Sequence, residues 1–462
     1  MPPEKSAYAL ARYSRSADSI RQSIEWVRSH NSQSFLESYY FQYGHQSIAD
    51  LGHVAICFEG ISELAASEVE DEVLWDGQAK SSRYQDFSKG GFITPPELQG
   101  ELLTRYTDAC EALLRAYNDV HARVNEYLTE ELPRPESMKP EAYRRNIAAR
   151  AFDVARYLLF WGVPTNVGQM TSIRTLEKQI KRLRISEFAE VRELGDEIAQ
   201  ACAEPPECLW TEQEREPLAP TLARHAEPDE FLRQSQADLK LWATQNLSVA
   251  VCEVPRVDLV KTNDELSAIA ATLLYPVCDH PFRAIYTTVC GWSQARKTEV
   301  IDVALKSRSR RDDLPRGFRG GQYCFDMLID VGAYRDMHRH RRCQQYRQAY
   351  HGLHGYDTPE LLRKSGAEGV YRSAMDSALS ALQSLPDPAR QYLLPFGARS
   401  RFLFRMDFAE VDYISRVRSG VKGHFSYREI AWDMKQRVEE IEPDLARLID
   451  ATPPWVEDPL KR

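Results

Sequence analysis

Ala155-Arg156-Tyr157-Leu158-Leu159 and Ala389-Arg390-Gln391-Tyr392-Leu393-Leu394-Pro395 are two versions of one phrase, one in each half of the chain. Each is followed by a further arginine, Arg184 or Arg418, and then by another amphipathic stretch. The repetition points to a tandem duplication whose copies have diverged. Residues 1–215 form the first copy, 216–245 a linker and 246–462 the second. The division rests on composition. Pro205, Pro206, Pro217, Pro220 and Pro228 fall among many charges, and such runs interrupt periodic structure.

Outward from this phrase the chain reads as mostly helical. Residues 17–30 place Ile20, Ile24 and Val27 on one face. Residues 47–73 read as one longer helix, with Ile61, Ala65, Val69 and Val73 every fourth residue. Residues 102–127, 141–159 and 168–183 read as helices too, and Pro164 interrupts the series. Ser186 is placed to cap a helix through residue 201. After the linker, 247–254 is β-prone. The stretch 306–321 (KSRSRRDDLPRGFRGG) is a polar loop, and 323–345 reads as a strong helix. Residues 359–385, 408–418 and 425–449 are further helical stretches, the last interrupted at Pro443.

Composition bounds the function. The 462 residues suffice for two or three domains. A hydrophobic fraction of 43% excludes a largely disordered chain. The net charge of -9 argues against a dedicated nucleic-acid binder. No run approaches the ~18 apolar residues of a membrane span, and residues 1–16 lack the apolar core of a signal peptide. The expectation is a soluble, cytoplasmic protein. Its nine scattered cysteines form no Cys-x-x-Cys, so neither a zinc ribbon nor a disulfide framework is expected.

Two clusters carry candidate chemistry. In and just before Met337-His338-Arg339-His340-Arg341-Arg342-Cys343, at the end of a helix, Arg335, Arg339 and Arg342 fall at i, i+4 and i+7 and so share one face. Arginine forks match phosphate oxygens. A solvated face paired with acids, a metal site using His338, His340, Cys343, His351 and His354, and an RNA contact are the alternatives. The second cluster, Gln78-Ala79-Lys80-Ser81-Ser82-Arg83-Tyr84, combines hydroxyls, backbone amides and an arginine, as a phosphate contact does or an ordinary polar turn.

These residues resemble a known family. Gly44-His45-Gln46-Ser47, a helix, and then Ser81-Ser82-Arg83-Tyr84 are similar to the flavin-dependent thymidylate synthases. That family's signature reads Arg-His-Arg-x-x-Ser-x-Asn-Glu-x-Ser-x-Arg-Tyr. The likeness continues through Ala155-Arg156, Thr165-Asn166, Ser172-Ile173-Arg174 and Arg184. In the second half Arg339-His340-Arg341 resembles the signature's opening, and residues 424–430 (HFSYREI) resemble the family's C-terminal helix. The copies keep opposite ends. Aligned on Tyr84, the opening falls on Asp71-Glu72-Val73, and the Asn-Glu pair becomes Gln78-Ala79. Aligned on Arg339, the closing positions fall on Ala349, Tyr350, His351 and Gly352.

The resemblance implies an α+β, mostly helical fold: two diverged tandem copies of the flavin-dependent thymidylate synthase fold, each with a small antiparallel sheet. It implies FAD as cofactor, with NADPH and methylenetetrahydrofolate as cosubstrates, and methyl transfer to C5 of a uracil nucleotide such as dUMP. It implies flavin binding by Arg339, His340, Arg341, Ser172 and Arg174. Substrate binding falls to Gln78, Ser81, Ser82, Arg83, Arg390 and Arg418. Catalysis falls to Arg184 and Arg156, with no metal. Arg390 and Arg418 stand as second-copy counterparts of Arg156 and Arg184, and Asp407 and Ala409 as those of Ser172 and Arg174. Family members are homotetramers with shared sites. A homodimer forming a pseudo-tetramer is therefore expected, with the first half giving the nucleotide subsite and the second the flavin subsite. The alternatives are a different nucleotide or small anion as substrate, and a phosphate-binding protein that has lost flavin.

Overall fold

The computed structural model describes residues 1–42, 46–87, 89–207, 215–250, 252–309, 312, 315–447 and 449–460. Gly44 and His45 of the first motif, Cys208 and part of the 306–321 loop lie outside them. No helix among the described residues is long and apolar enough to cross a membrane.

The chain divides into two compact units that cut across the sequence copies. One joins Met1–Lys80 to Thr165–Glu230, and the other joins Ser81–Pro164 to Phe231–Arg462. The first unit holds a three-stranded sheet of β1 (His53–Ser62), β2 (Trp75–Ala79) and β3 (Pro164–Ser172) in the order β1-β3-β2. β2 runs antiparallel to β3, with Gln78 opposite Gly168. The second unit holds β4 (Val257–Lys261), β5 (Tyr323–Asp330), β6 (Gln344–Arg347) and β7 (Arg399–Met406) in the order β4-β5-β7-β6, each neighbour antiparallel. The order β5-β7-β6 repeats β1-β3-β2, so the duplication is visible strand by strand.

Four joints share one construction. A strand runs directly into a helix, and the joining residue caps that helix. Ser62 accepts from the Ala65 amide at 2.9 Å, Ser172 from Thr175 at 3.2 Å, Asp330 from Ala333 at 2.7 Å and Asp407 from Glu410 at 3.0 Å. Short oxygen-bearing side chains satisfy amides that have no partner within the helix. Matching Ser62 to Asp330 sets Asp71-Glu72-Val73 opposite Arg339-His340-Arg341.

These joints correct three helix assignments. Residues 47–73 comprise a 3-10 turn (Gln46–Leu51), β1 and the helix Glu63–Glu70. Residues 168–183 are the end of β3 followed by the helix Ile173–Leu183. Residues 323–345 are β5, the short helix Val331–Met337 and the start of β6. β5 is buried on both faces, so its apolar residues fall on both and, Asp326 and Asp330 apart, show no alternation that would separate strand from helix. The β-prone 247–254 segment forms no strand among its described residues; β4 lies just beyond it. The helix Phe408–Arg418 has the expected bounds, and Phe425–Ile441 stops before Pro443.

Within the second unit the repeated phrase pairs with itself. The Gly162 amide donates to the Tyr392 carbonyl at 2.7 Å, and the Gly397 amide to the Tyr157 carbonyl at 2.9 Å. Trp161 reaches Leu394 at 3.2 Å, and Phe396 reaches Leu159 at 2.6 Å. Phe160 bridges antiparallel to Pro395. Each contact has its mirror, which defines a local two-fold axis. Its register matches Tyr157 to Tyr392 and therefore Arg156 to Gln391. The expected pairings of Arg156 with Arg390 and of Arg184 with Arg418 are each one residue out. A side chain on either glycine would meet a tyrosine hydroxyl, Tyr106 at 2.5 Å or Tyr371 at 2.6 Å.

Candidate functional site

The second unit gathers four arginines around two carboxylates. Arg83 lies after the Ser81-Ser82 turn and is 8% exposed. Its Nε and Nη2 hold both oxygens of Asp153, at 2.6 and 3.2 Å. Nη2 also donates to the Lys422 carbonyl at 3.1 Å, and Nη1 to the Tyr427 hydroxyl at 3.0 Å. Among the described residues, four of the five guanidinium N–H groups have an acceptor. Asp153 ends the helix Pro140–Ala155, and its carbonyl meets His424 Nε2 at 2.7 Å.

Arg156 follows on the next turn and is 1% exposed. Nη1 donates to Asp336 at 2.9 Å. Its Nε and Nη2 are buried and have no partner among the described residues. Buried donors of this kind call for an acceptor. Asp336 lies near the end of the helix Val331–Met337. Burial pushes its carboxyl up, but Arg156, Arg83, Arg418 and Arg335 outweigh that and hold it below the usual range. Arg335 donates to the Ser82 hydroxyl at 3.1 Å and lies over the Phe396 ring. Arg418 lies over the Tyr427 ring and donates to His340 Nε2 at 2.7 Å. The four guanidinium groups outnumber their carboxylates, leaving the cluster cationic.

The expected residues divide between the units. Ser81, Ser82, Arg83, Arg156, Arg339, His340, Arg341, Arg390 and Arg418 belong to the second unit, and Gln78, Ser172, Arg174 and Arg184 to the first. The first-unit residues are mostly engaged locally. Arg174 pairs with Asp50 at 2.8 Å, and Ser172 is the cap described above. Arg184 holds Asp196 at 2.8 Å and the Ala226 carbonyl at 2.5 Å, in an open cleft also lined by Arg192, Glu193 and Glu227. Gln78 is exposed on β2. In the second unit Arg390 is held by Asp387 at 2.6 Å and contacts His351 at 3.2 Å. Arg339 is exposed with no hydrogen bond or ion pair among the described residues, and Arg341 is half-buried.

The helix ends at Met337, so Arg335, Arg339 and Arg342 do not share a helical face. Among the described residues no three His, Cys, Asp or Glu side chains are grouped to hold a metal ion. Sequence reading missed Asp153, Asp336 and Tyr427. Asp153 and Arg156 stand three apart on a helical run, the one local signal. The other pairings join positions far apart in sequence.

Comparison with known proteins accords with this picture. The family model described as thymidylate synthase complementing protein matches residues 1–205 and 257–444. The chain belongs to that family, the flavin-dependent thymidylate synthases, and carries its fold in two diverged tandem copies. Two chlamydial relatives, from Chlamydia muridarum and Chlamydia pneumoniae, are each 27% identical over 87% of this chain and 77% of theirs. One from Thermoplasma acidophilum is 23% identical over 95% of this chain and 93% of its own. All three bear the name UPF0159 protein, which states no activity. The flavin-dependent thymidylate synthase ThyX of Helicobacter pylori, solved with FAD and dUMP, is 16% identical. It covers 43% of this chain and 89% of its own, at a TM-score of 0.28. At that score no residue can be transferred between the two.

Proposed function

We propose that this protein is an FAD-dependent transferase that delivers a methyl group to C5 of a dUMP-type uracil nucleotide. Methylenetetrahydrofolate provides the carbon and reduced nicotinamide the electrons. The observation that carries the reading is the arginine cluster around Arg156, whose buried Nε and Nη2 have no partner among the described residues. An anionic oxygen fits that place in charge and in hydrogen bonding. Arg156, Arg335 and Arg418 are the groups to bind and orient a nucleotide, with Arg83 and Ser82 shaping the wall. Arg339 and Arg341 offer guanidinium forks for the flavin pyrophosphate. Bound flavin would supply the hydride equivalents. No protein nucleophile is needed. Guanidinium groups beside the pyrimidine oxygens stabilise charge developing on the ring. Ser172, Arg174, Gln78, Arg184 and Arg390 remain proposed contacts, and a homodimer in the cytoplasm the proposed state.

The test is the visible absorption spectrum of the purified chain, recorded without and then with added FAD. Flavin bands that vanish in Arg339→Ala support the reading, and turnover of dUMP with NADPH and methylenetetrahydrofolate completes it. No flavin under either condition removes the redox mechanism and leaves a duplicated phosphate-binding scaffold.

A further inference from the structure

His340 sits at the back of the arginine cluster, beside Arg418. It is 5% exposed. Its backbone is fastened on both sides: the amide donates to the Met337 carbonyl at 3.1 Å, and the carbonyl accepts from Gln345 Nε2 at 2.8 Å. The ring has little freedom. Tyr413 lies edge-on at 5.7 Å. Arg418 Nε approaches ring Nε2 at 2.7 Å, and Glu410 Oε1 faces ring Nδ1 at 3.6 Å.

The chemistry of those neighbours fixes the proton. A guanidinium has donors only, so the nitrogen it reaches must offer a lone pair. Nε2 is therefore unprotonated, and the one remaining ring proton is on Nδ1, towards Glu410. A doubly protonated ring would set two N–H groups against each other at hydrogen-bond distance. Burial pulls the imidazole's pKa down; Glu410 opposes this and Arg418 adds to it, and the net direction is down. Glu410 is itself held, since Asp407 caps its helix at the Glu410 amide. Glu410 and Arg418 lie on one helix, Phe408–Arg418, and His340 bridges them from the turn after Val331–Met337.

We propose that His340 is a positioning residue, a neutral Nδ1–H imidazole that accepts from Arg418 and holds that guanidinium against the Asp336 cluster. The tautomer stands on local geometry alone, whereas the consequence for anion binding rests on the function proposed above. Without the acceptor, Arg418 keeps its place over the Tyr427 ring and the attraction of Asp336 but loses the hydrogen bond that directs it. The device occurs once per chain. In the first copy Glu72 stands where His340 does, and Leu183 where Arg418 does, by the cap alignment.

The test uses the full chain labelled with 15N-histidine and 15N-arginine at pH 8, with inorganic sulfate as the anion probe. His340→Gln keeps an acceptor oxygen near the position of Nε2; His340→Phe keeps bulk and removes it. The expected spectrum of the unmodified chain has a pyrrole-type signal for His340 Nδ1, a pyridine-type signal for Nε2 and a slowly exchanging Arg418 Nε–H. That arginine signal survives in His340→Gln and is lost in His340→Phe. Sulfate affinity falls about tenfold in His340→Phe, the size expected for one charge-assisted hydrogen bond, and is largely kept in His340→Gln. A ring protonated at Nε2 overturns the proposal, as does an Arg418 signal indifferent to His340→Phe. If the signals behave as expected but sulfate does not bind, the positioning stands and the anion reading falls.

Discussion

Asp336 is the residue on which the cluster's charge turns. Its pKa is depressed, so it adds stability that is present above the unfolded carboxylate pKa of about 4 and is lost as pH falls through the folded value. Removing its charge leaves Arg156 buried without its ion-pair partner. Asp336→Asn should therefore cost about 3 kcal/mol at pH 7, in the range for breaking one side of a buried pair. The gap from the unmodified chain should narrow on acidification, because the unmodified chain loses that contribution progressively as pH falls towards the depressed folded pKa. Urea unfolding at pH 7 and pH 3 checks both. A gap unchanged by acidification would mean that Asp336 acts through shape and not charge. Sequence reading picked out Arg83 and Arg156 because their residue types announce charge. It could not find Asp336, because the pair Arg156–Asp336 joins the two copies. Nor could it tell that Arg83 spends most of its donors on the chain itself.

Ser172 is both a candidate flavin contact and the cap of Ile173–Leu183, and the two roles are separable at the scale of the element. Its counterpart Asp407 shows that a carboxylate serves the same joint in the other copy. Ser172→Ala should lower stability by about 1 kcal/mol, as loss of a cap does, and Ser172→Asp should keep it. Thermal melts measure that, and FAD titration of the same variants reads the second role. If Ser172→Asp holds stability but weakens FAD, the hydroxyl touches the cofactor as well. The joints also explain the misread helices. Ile61, Ala65 and Val69 keep a four-residue spacing across the point where β1 becomes Glu63–Glu70, so periodicity runs over the boundary. The signal that marks the boundary is the cap, Ser62 or Asp330, a single residue that an apolar pattern does not weigh.

The duplication was legible from one repeated phrase, but its consequence for site number needed the local two-fold. That axis relates Arg156 to Gln391, and the cap alignment relates Arg83 to His351, Arg335 to Ser67 and Asp336 to Glu68. None of these counterparts is an arginine, so the cationic cluster is built once per chain. Two identical subunits of a duplicated family would otherwise offer four. Equilibrium titration with sulfate should therefore give one tight site per chain, removed by Arg156→Leu, and a protein purified with flavin should carry at most one FAD per chain. Gln391→Arg should not create a second site, because Pro388 stands where Asp153 would have to steady an arginine at His351. Two equivalent tight sites in the unmodified chain would show that the two copies are not divided in labour. One site would mean that the remaining copy serves as framework: it presents Tyr392–Gly397 to the repeated phrase and so fixes the turn that carries Arg156.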